Sequence, residues 1–356
     1  IVVGEDYGEG SSIIQERTHA FAMKSTMCLM DPRPDLPTMT RMVEEAFKLS
    51  EASNMPSVLE LRIRACHVYG HFDAKDNVHP LYSRNNQIPA AEFDFSRVCL
   101  PPATYTQEKH KIEHRLPAAI KYIAENNLNE RFDGDVPEIG IIVQGGIYNT
   151  LMRALRQFGL ADSYGKCRIS TLVMNVTYPM VPDEIADFCI GKDAVLVVEE
   201  GQPEFIEQAI NAILRKKDVN AKIIGKDLFP MAGEYTSEVM LKGVHGFLSK
   251  YAPPGLNVNT VLAEIDQLFS DRDGAREILG DGLPLRTPSF CTGCPERPIF
   301  SALKILEKEL GPAHISADIG CHTFAALPPF NVGNTVMGYG LGLASSAGLA
   351  PNFHKR

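Results

Sequence analysis

The chain has 356 residues, 44% hydrophobic and 22% charged, the balance of a soluble globular protein with core enough for two or three domains. Thirty-five Lys and Arg against 44 Asp and Glu leave a net charge of -9, which argues against coating nucleic acid or an anionic membrane. No apolar run approaches the roughly 20 residues of a bilayer span. Ile1-Val2-Val3-Gly4 has neither the basic region nor the long apolar stretch of a signal peptide. Eight cysteines are too sparse for a disulfide scaffold; Cys28, Cys66, Cys99, Cys167 and Cys189 are isolated and expected mostly in the core, and the expected location is a reducing cytoplasm.

Ile1-Val2-Val3 reads as a buried strand, followed by a polar, Gly-rich loop from Gly4 to Gln15. Thr38–Glu51 reads as a helix, with Met39, Met42, Val43, Ala46 and Phe47 on one face and Thr38 as N-cap. Ser57–Ile63 alternates like a strand, Leu59, Leu61 and Ile63 pointing one way. Residues 71–110 carry Asn, Pro, Asp and His without a period, so a long connection between domains is expected there. A polar helix, Lys111–Asn127, follows.

From Pro137 the alternation is regular. Ile139–Val143 is a buried strand, Gly145-Gly146 a tight turn, and Leu151, Met152, Leu155 and Phe158 a helix face. Ser170–Met174 is the next strand, and Pro182 opens a helix with Glu184 in its first turn. Ala194–Val198, a helix over Glu204–Lys216 and a short strand, Lys222–Ile224, complete a three-layer α/β domain with parallel strands. Helices near Tyr235–Leu248 and Val258–Phe269 close it, and Asp271–Pro288 reads as a linker. A last unit opens at Phe290: a Cys-rich turn, a helix (Glu296–Leu310), a strand (His314–Ala317) and a Gly-rich helix entering at Gly333. There is no internal repeat. Both ends read as cut rather than natural.

Three motifs in the last unit carry candidate chemistry. Phe290-Cys291-Thr292-Gly293-Cys294-Pro295-Glu296-Arg297-Pro298 contains a Cys-x-x-Cys pair, but zinc needs four ligands and only Cys321 and a few histidines are near in sequence. A structural turn is the plain alternative. Asp318-Ile319-Gly320-Cys321-His322-Thr323 follows a strand, where a glycine lets backbone amides approach an anion. Val332-Gly333-Asn334-Thr335, then Met337 to Gly348, is dense in glycine and small residues. It lacks the preceding strand and following acid of a dinucleotide fingerprint, and by itself reads as tight helix packing.

Together and in this order, the three resemble the diphosphate-binding domain of the thiamine-diphosphate-dependent 2-oxoacid:ferredoxin oxidoreductases, and within them the alpha subunit of the indolepyruvate branch. Val198-Glu199-Glu200-Gly201-Gln202-Pro203-Glu204-Phe205-Ile206-Glu207 and residues 225–236, from Gly225-Lys226-Asp227 to Tyr235-Thr236, resemble that subunit's middle domain. Gly4–Arg17 and Arg64–His67 resemble the second half of its pyrimidine-binding domain. The resemblance implies several three-layer α/β domains with mostly parallel sheets in a transketolase-like architecture. It implies a C-terminal half of a pyrimidine-binding domain over 1–75, a connection over 76–136 and a transketolase C-terminal-like domain over 137–270. A linker over 271–289 and the N-terminal part of a diphosphate-binding domain over 290–356 would follow.

The resemblance also implies cofactors and roles. Thiamine diphosphate would be contacted by Cys294, Pro295, Arg297, Asp318, Ile319, Gly320, Cys321, His322, Thr323, Gly338 and Gly340, through backbone amides and the Thr hydroxyl. Arg64 and His67 are weaker candidates facing the substrate carboxylate or a partner active site. Glu199-Glu200 read rather as a helix N-terminal charge or a domain contact. Mg²⁺, the [4Fe-4S] clusters and the glutamate that activates the cofactor are expected from outside this chain, so the chain alone is expected to be inactive. Aryl pyruvates (indolepyruvate), CoA, ferredoxin and a beta subunit or fused equivalent are the implied partners, in an oligomer. One departure stands out: a histidine is usual where Glu296 stands, which places a carboxylate near a diphosphate unless Arg297 offsets it. A non-oxidative thiamine-dependent decarboxylase or synthase, and an inactive scaffold subunit, are the alternatives.

Overall fold

The computed structural model describes residues 2–3, 18–90, 95, 98–201, 203–282, 289–338 and 340–352. The loop expected over Gly4–Gln15, the Gly4–Arg17 resemblance as far as Arg17, Gln202 and Tyr339 lie outside them. Two compact units emerge, Ile1–Gly274 and Ala275–Arg356.

The first unit opens with β1 (Val2–Val3), α1 (Thr18–Ser25), β2 (Cys28–Met30), α2 (Leu36–Ser53), β3 (Ser57–Leu61) and α3 (Ile63–Cys66). The helix α2 starts earlier than the sequence predicts. Its N-cap is Asp35, whose carboxylate accepts from the Thr38 amide at 3.1 Å, and Pro37 lies in the first turn, where its missing N–H costs nothing. Thr38 is therefore inside the helix. Its buried face runs through Met39, Met42, Glu45 and Leu49, whereas Phe47 is 73% exposed and Val43 sits at its edge. The strand ends at Leu61, and Ile63 already belongs to α3. Cys28, Cys167 and Cys189 are core residues as expected, but Cys66 and Cys99 are exposed.

Residues 67–102 hold no strand and no long helix among those described. The expected irregular stretch ends there, because Ala103–His110 is helical (α4) and runs through a π-helical turn, Lys111–Arg115, into α5 (Leu116–Glu125). Then come β4 (Glu130–Phe132), β5 (Val136–Gln144), α6 (Tyr148–Gln157), β6 (Ile169–Met174), β7 (Val176–Tyr178), α7 (Pro182–Cys189), β8 (Ala194–Val198), α8 (Phe205–Lys216), β9 (Lys222–Ile224), α9 (Ser237–Tyr251) and α10 (Asn259–Leu279). The segment expected to be a linker from Asp271 is thus helical to Leu279.

Two sheets result. One has the order β1-β3-β2-β7, parallel except for β7. The other has the order β4-β6-β5-β8-β9, parallel except for the edge strand β4. The second sheet is buried on both sides, as its near-continuous apolar strands require. Ile139, Ile141 and Val143 face a core shared with α6 and α9, while Ile142, Val195 and Val197 face α7 and α8. That alternation makes the three layers. Asn175 alone separates β6 in one sheet from β7 in the other. Its carbonyl accepts from the Asp31 amide (2.9 Å), its Oδ1 from the Arg33 amide (2.8 Å), and its Nδ2 donates to Leu128 O (2.9 Å).

The second unit holds α11 (Arg297–Leu310), β10 (Ser316–Ala317), β11 (Thr335–Val336) and α12 (Gly342–Leu349). The Gly-rich helix therefore begins at Gly342 rather than Gly333; Thr335–Val336, between these glycines, form β11, parallel to β10. Phe290, Phe300 and Phe330 cluster beneath the Cys-rich turn, with ring centroids 5.2 to 5.9 Å apart. α/β architecture with mostly parallel sheets is the observed class.

Candidate functional site

In the second unit, Glu296, the 318–322 loop and Gly340 line one depression of about 310 Å³. The parallel pairing of β10 and β11 sets the 318–322 loop, which follows β10, beside Gly340 on the approach to α12. Gly320 has φ 138 and Gly340 φ 71, and a Cβ built at either would meet nothing within 4 Å, so the backbone is laid open to the depression. Cys321 and His322 head a 3-10 turn, Cys321–Ala326, whose first amides have no partner inside the turn.

The remaining motif residues hold this geometry. Thr323 Oγ1 accepts from the Gly320 amide (3.3 Å) and donates to Asp318 O (3.2 Å), which ties the loop to itself. Asp318 Oδ1 accepts from the Gly342 amide (3.0 Å) at the head of α12, an acid where the helix dipole favours one. The Cys294 amide donates to Cys291 O (3.2 Å) across a turn that needs Gly293 at φ 73. Arg297 Nη2 donates to the carbonyls of Phe290 (3.0 Å) and Cys291 (2.8 Å), so its guanidinium braces the turn. Gly338 packs beneath Leu341, where a Cβ would come within 2.9 Å of Cδ1. Asp318, Ile319, Gly320, Cys321, His322 and Gly340 line the depression; Cys294, Pro295, Arg297, Thr323 and Gly338 are not among the residues that line it.

This donor set fits an anionic group on its backbone side, with open glycines, amides at the head of a turn and the His322 ring. Glu296 opposes it. Its Oε2 is shielded from solvent without a hydrogen-bond partner among the described residues, 3.5 Å from His322 Nε2. His322 in its protonated form would offset that charge. Among the described residues no group of three or more His, Cys, Asp or Glu is arranged to hold a metal ion.

In the first unit, Arg64 and His67 separate. Arg64 Nη2 donates to both oxygens of Glu200 (2.6 and 2.7 Å) and Nη1 to Tyr235 O (3.2 Å), a bidentate pair inside the protein. His67 is exposed at the end of α3. Glu200 also accepts from Arg62 Nη1 (2.6 Å), and Arg62 reaches Asp31 (2.8 Å) and Glu60 (3.5 Å). Arg62, Asp31, Glu60 and Glu200 are each buried at the carboxyl ends of β3, β2 and β8, where the two sheets of the unit meet. Burial works against the Arg62 charge, but Asp31, Glu60 and Glu200 raise its pKa well above the ordinary value. Gly146 makes room for this cluster: a Cβ there would stand 2.3 Å from both Arg62 Nε and Asp31 Oδ1. Sequence reasoning missed Arg62, Asp31 and Glu60. Their one signal is charge at the ends of apolar strands, in Leu59-Glu60-Leu61-Arg62 and Leu29-Met30-Asp31.

Glu199 plays the helix-charge role. Its carboxylate accepts from the amides of Ile206 and Glu207 (3.0 Å each) at the start of α8. Burial raises its pKa despite those amides. Lys226, whose pKa burial lowers, donates to Gly201 O and to the Tyr235 hydroxyl at 2.7 Å each.

Residues 130–269 match the family described as the indolepyruvate oxidoreductase domain. The chain is 26% identical to the indolepyruvate oxidoreductase subunit IorA of Thermococcus kodakarensis, covering 100% of this chain and 53% of that protein. It is 28% identical to IorA of Pyrococcus abyssi (99% and 51%) and 26% identical to IorA of Methanothermobacter thermautotrophicus (98% and 52%). The chain spans about half the length of the curated relatives it matches. Among solved structures, a 2-oxoglutarate:ferredoxin oxidoreductase from Magnetococcus marinus matches 62% of this chain and 42% of its own at 13% identity and TM-score 0.37. A split-gene transketolase, an inactive beta4 tetramer, matches 63% and 58% at 12% identity and TM-score 0.33. The resemblance to indolepyruvate oxidoreductase subunits holds along the whole chain.

Proposed function

We propose that this chain is part of a cytoplasmic, thiamine-diphosphate-dependent 2-oxoacid:ferredoxin oxidoreductase that acts on indolepyruvate and other aryl pyruvates. The reaction converts the aryl pyruvate and CoA to aryl-acetyl-CoA and carbon dioxide, with two electrons passed to ferredoxin and one proton released. A beta subunit or fused equivalent completes the enzyme, with Mg²⁺ and [4Fe-4S] clusters held elsewhere in the assembly. The observation that carries this reading is the meeting of Glu296, the 318–322 loop and Gly340 around one depression, in a chain similar throughout to IorA subunits. No helix among the described residues is long and apolar enough to cross a membrane.

Thiamine diphosphate, when bound, supplies the decarboxylation chemistry. This chain's part is to bind and orient its diphosphate end. The glycines at 320 and 340 let the anion come close to the backbone, and the amides of Cys321 and His322 are the donors it would meet. Thr323, Asp318 and Arg297 fix the loop, the head of α12 and the turn, so the donors are set before the cofactor arrives. One feature supports the scaffold reading instead: the shielded Glu296 oxygen facing the anion site.

Calorimetric titration of thiamine diphosphate with Mg²⁺ into the full-length protein, and into its Gly320→Val variant, tests the proposal. Binding by the parent, weakened at least about tenfold in the variant because a side chain at φ 138 forces the loop to move, is expected. Reduction of ferredoxin with indolepyruvate and CoA should follow the same order. No binding by the parent would favour the scaffold reading, and binding without ferredoxin reduction the non-oxidative one.

A further inference from the structure

The Cys-rich turn carries two thiols to which the anion site gives no role. All eight cysteines are free, and burial divides them. Cys28 and Cys189 lie in the core, where burial pushes each thiol up to about 12, so both stay protonated and inert. Cys291 is exposed and Cys294 half-buried, within reach of a dissolved oxidant.

The turn also sets their backbones at a suitable separation. The Cys294 amide donates to Cys291 O (3.2 Å), and Gly293 supplies the positive φ of 73 between them. A four-residue turn closed this way keeps its end Cα atoms within about 7 Å, and a disulfide spans about 4.4–6.8 Å between Cα atoms. Side-chain rotation, with little movement of the backbone, then joins the sulfurs. Arg297 Nη2, bonded to the carbonyls of Phe290 and Cys291, and the Phe290 ring, stacked on Phe300 at 5.2 Å, hold the turn where it is.

We infer that Cys291 and Cys294 are a redox site, which closes to a reversible disulfide by exchange with a small-molecule disulfide such as oxidised glutathione. Cys291, the more exposed, attacks one sulfur of the oxidant as its thiolate, giving a mixed disulfide and one free glutathione. Cys294 then displaces the second glutathione. Two protein thiols become one S–S bond, the S–S bond of the oxidant becomes two thiols, and both protons end on the glutathiones. An exposed bridge of this kind is easily reduced, so in a reducing compartment it reports the redox state rather than stapling the fold. Its effect reaches the depression through Glu296, two residues beyond Cys294, whose Oε2 lies 3.5 Å from His322 Nε2. The bridge ties the turn that carries Glu296, and no cofactor is needed to form it.

The full-length protein, equilibrated with mixtures of reduced and oxidised glutathione and read by differential alkylation with peptide mass mapping, tests this. A Cys291–Cys294 bridge is the expected main product at this turn, opened again by dithiothreitol. In Cys294→Ser, with circular dichroism as the check on folding, Cys291 should keep its glutathione at least about tenfold longer, because no neighbouring thiol displaces it. Hydrogen exchange of the peptide over 290–300 should slow at least about fivefold in the bridged parent. Two free thiols or two separate mixed disulfides in the oxidised parent overturn the inference, as does a bridge to Cys321 instead. A metal ion that holds both sulfurs and blocks their alkylation in the reduced protein overturns it too. Glutathione shed from Cys294→Ser as fast as from the parent refutes the order of attack, and unchanged exchange over 290–300 refutes the link to Glu296.

Discussion

Replacing Arg62 by Met isolates what the buried charge cluster contributes. The parent holds two guanidiniums, Arg62 and Arg64, among three carboxylates, Asp31, Glu60 and Glu200, whose side chains are 2, 4 and 0% exposed. The variant leaves one guanidinium for three carboxylates. Met nearly conserves the volume, so a cavity contributes little. Removing one partner of a buried pair costs about 3–5 kcal/mol, a large share of the stability of an ordinary domain. Urea denaturation followed by circular dichroism would measure the loss, and hydrogen exchange of peptides spanning β3 and β8 would place it. Arg62→Lys, which keeps the charge and loses the fork, should lie between parent and Met. A loss below about 1 kcal/mol would show that desolvated charge does not govern this junction.

Gly146→Ala should destabilise the same unit by about 1–3 kcal/mol, because its Cβ would need the space of Arg62 Nε and Asp31 Oδ1; thermal melting checks this, and an unchanged midpoint counts against the close approach. His19, stacked on Phe205 with ring centroids 5.9 Å apart, has its pKa lowered by burial from 6.5 to about 4. The unfolded chain therefore binds more protons in that window, and the His19 contribution, present above pH 6.5, is lost as pH falls towards 4, by about 3 kcal/mol at most. His19→Phe should flatten that part of the stability profile, measured by urea denaturation at a series of pH values; an unaltered slope would mean the ring protonates without cost. In the full-length protein, Glu296→Gln should tighten thiamine diphosphate binding about fivefold, the modest effect of a half-exposed charge near an anion, read by calorimetry. Unchanged or weaker binding would show that Glu296 does not face the diphosphate.

The sequence marked the four parallel strands of the second sheet, with β5 read shorter than it is, and missed the antiparallel edge strand β4. Ala194–Val198 and Lys222–Ile224 are strands as read, and Leu151, Met152, Leu155 and Phe158 are buried. Buried parallel strands are short apolar runs, and amphipathic helices repeat at 3.6 residues, so both are local signals. The three motifs of the last unit were legible for a similar reason, since glycines and small residues are fixed by backbone needs. What the sequence could not decide was which polar residue pairs with which. Arg64 was read as facing a substrate, and Glu200, 136 positions away, pairs with it; Arg62 went unnoticed because charge at a strand end does not by itself tell whether the side chain is buried. Nor could periodicity tell that Phe47 would stay outside while Met42 went in, because a one-residue rotation of the helix changes both. Long-range contact decides these points, pairing Arg64 with Glu200 and putting Asp318 at the head of α12.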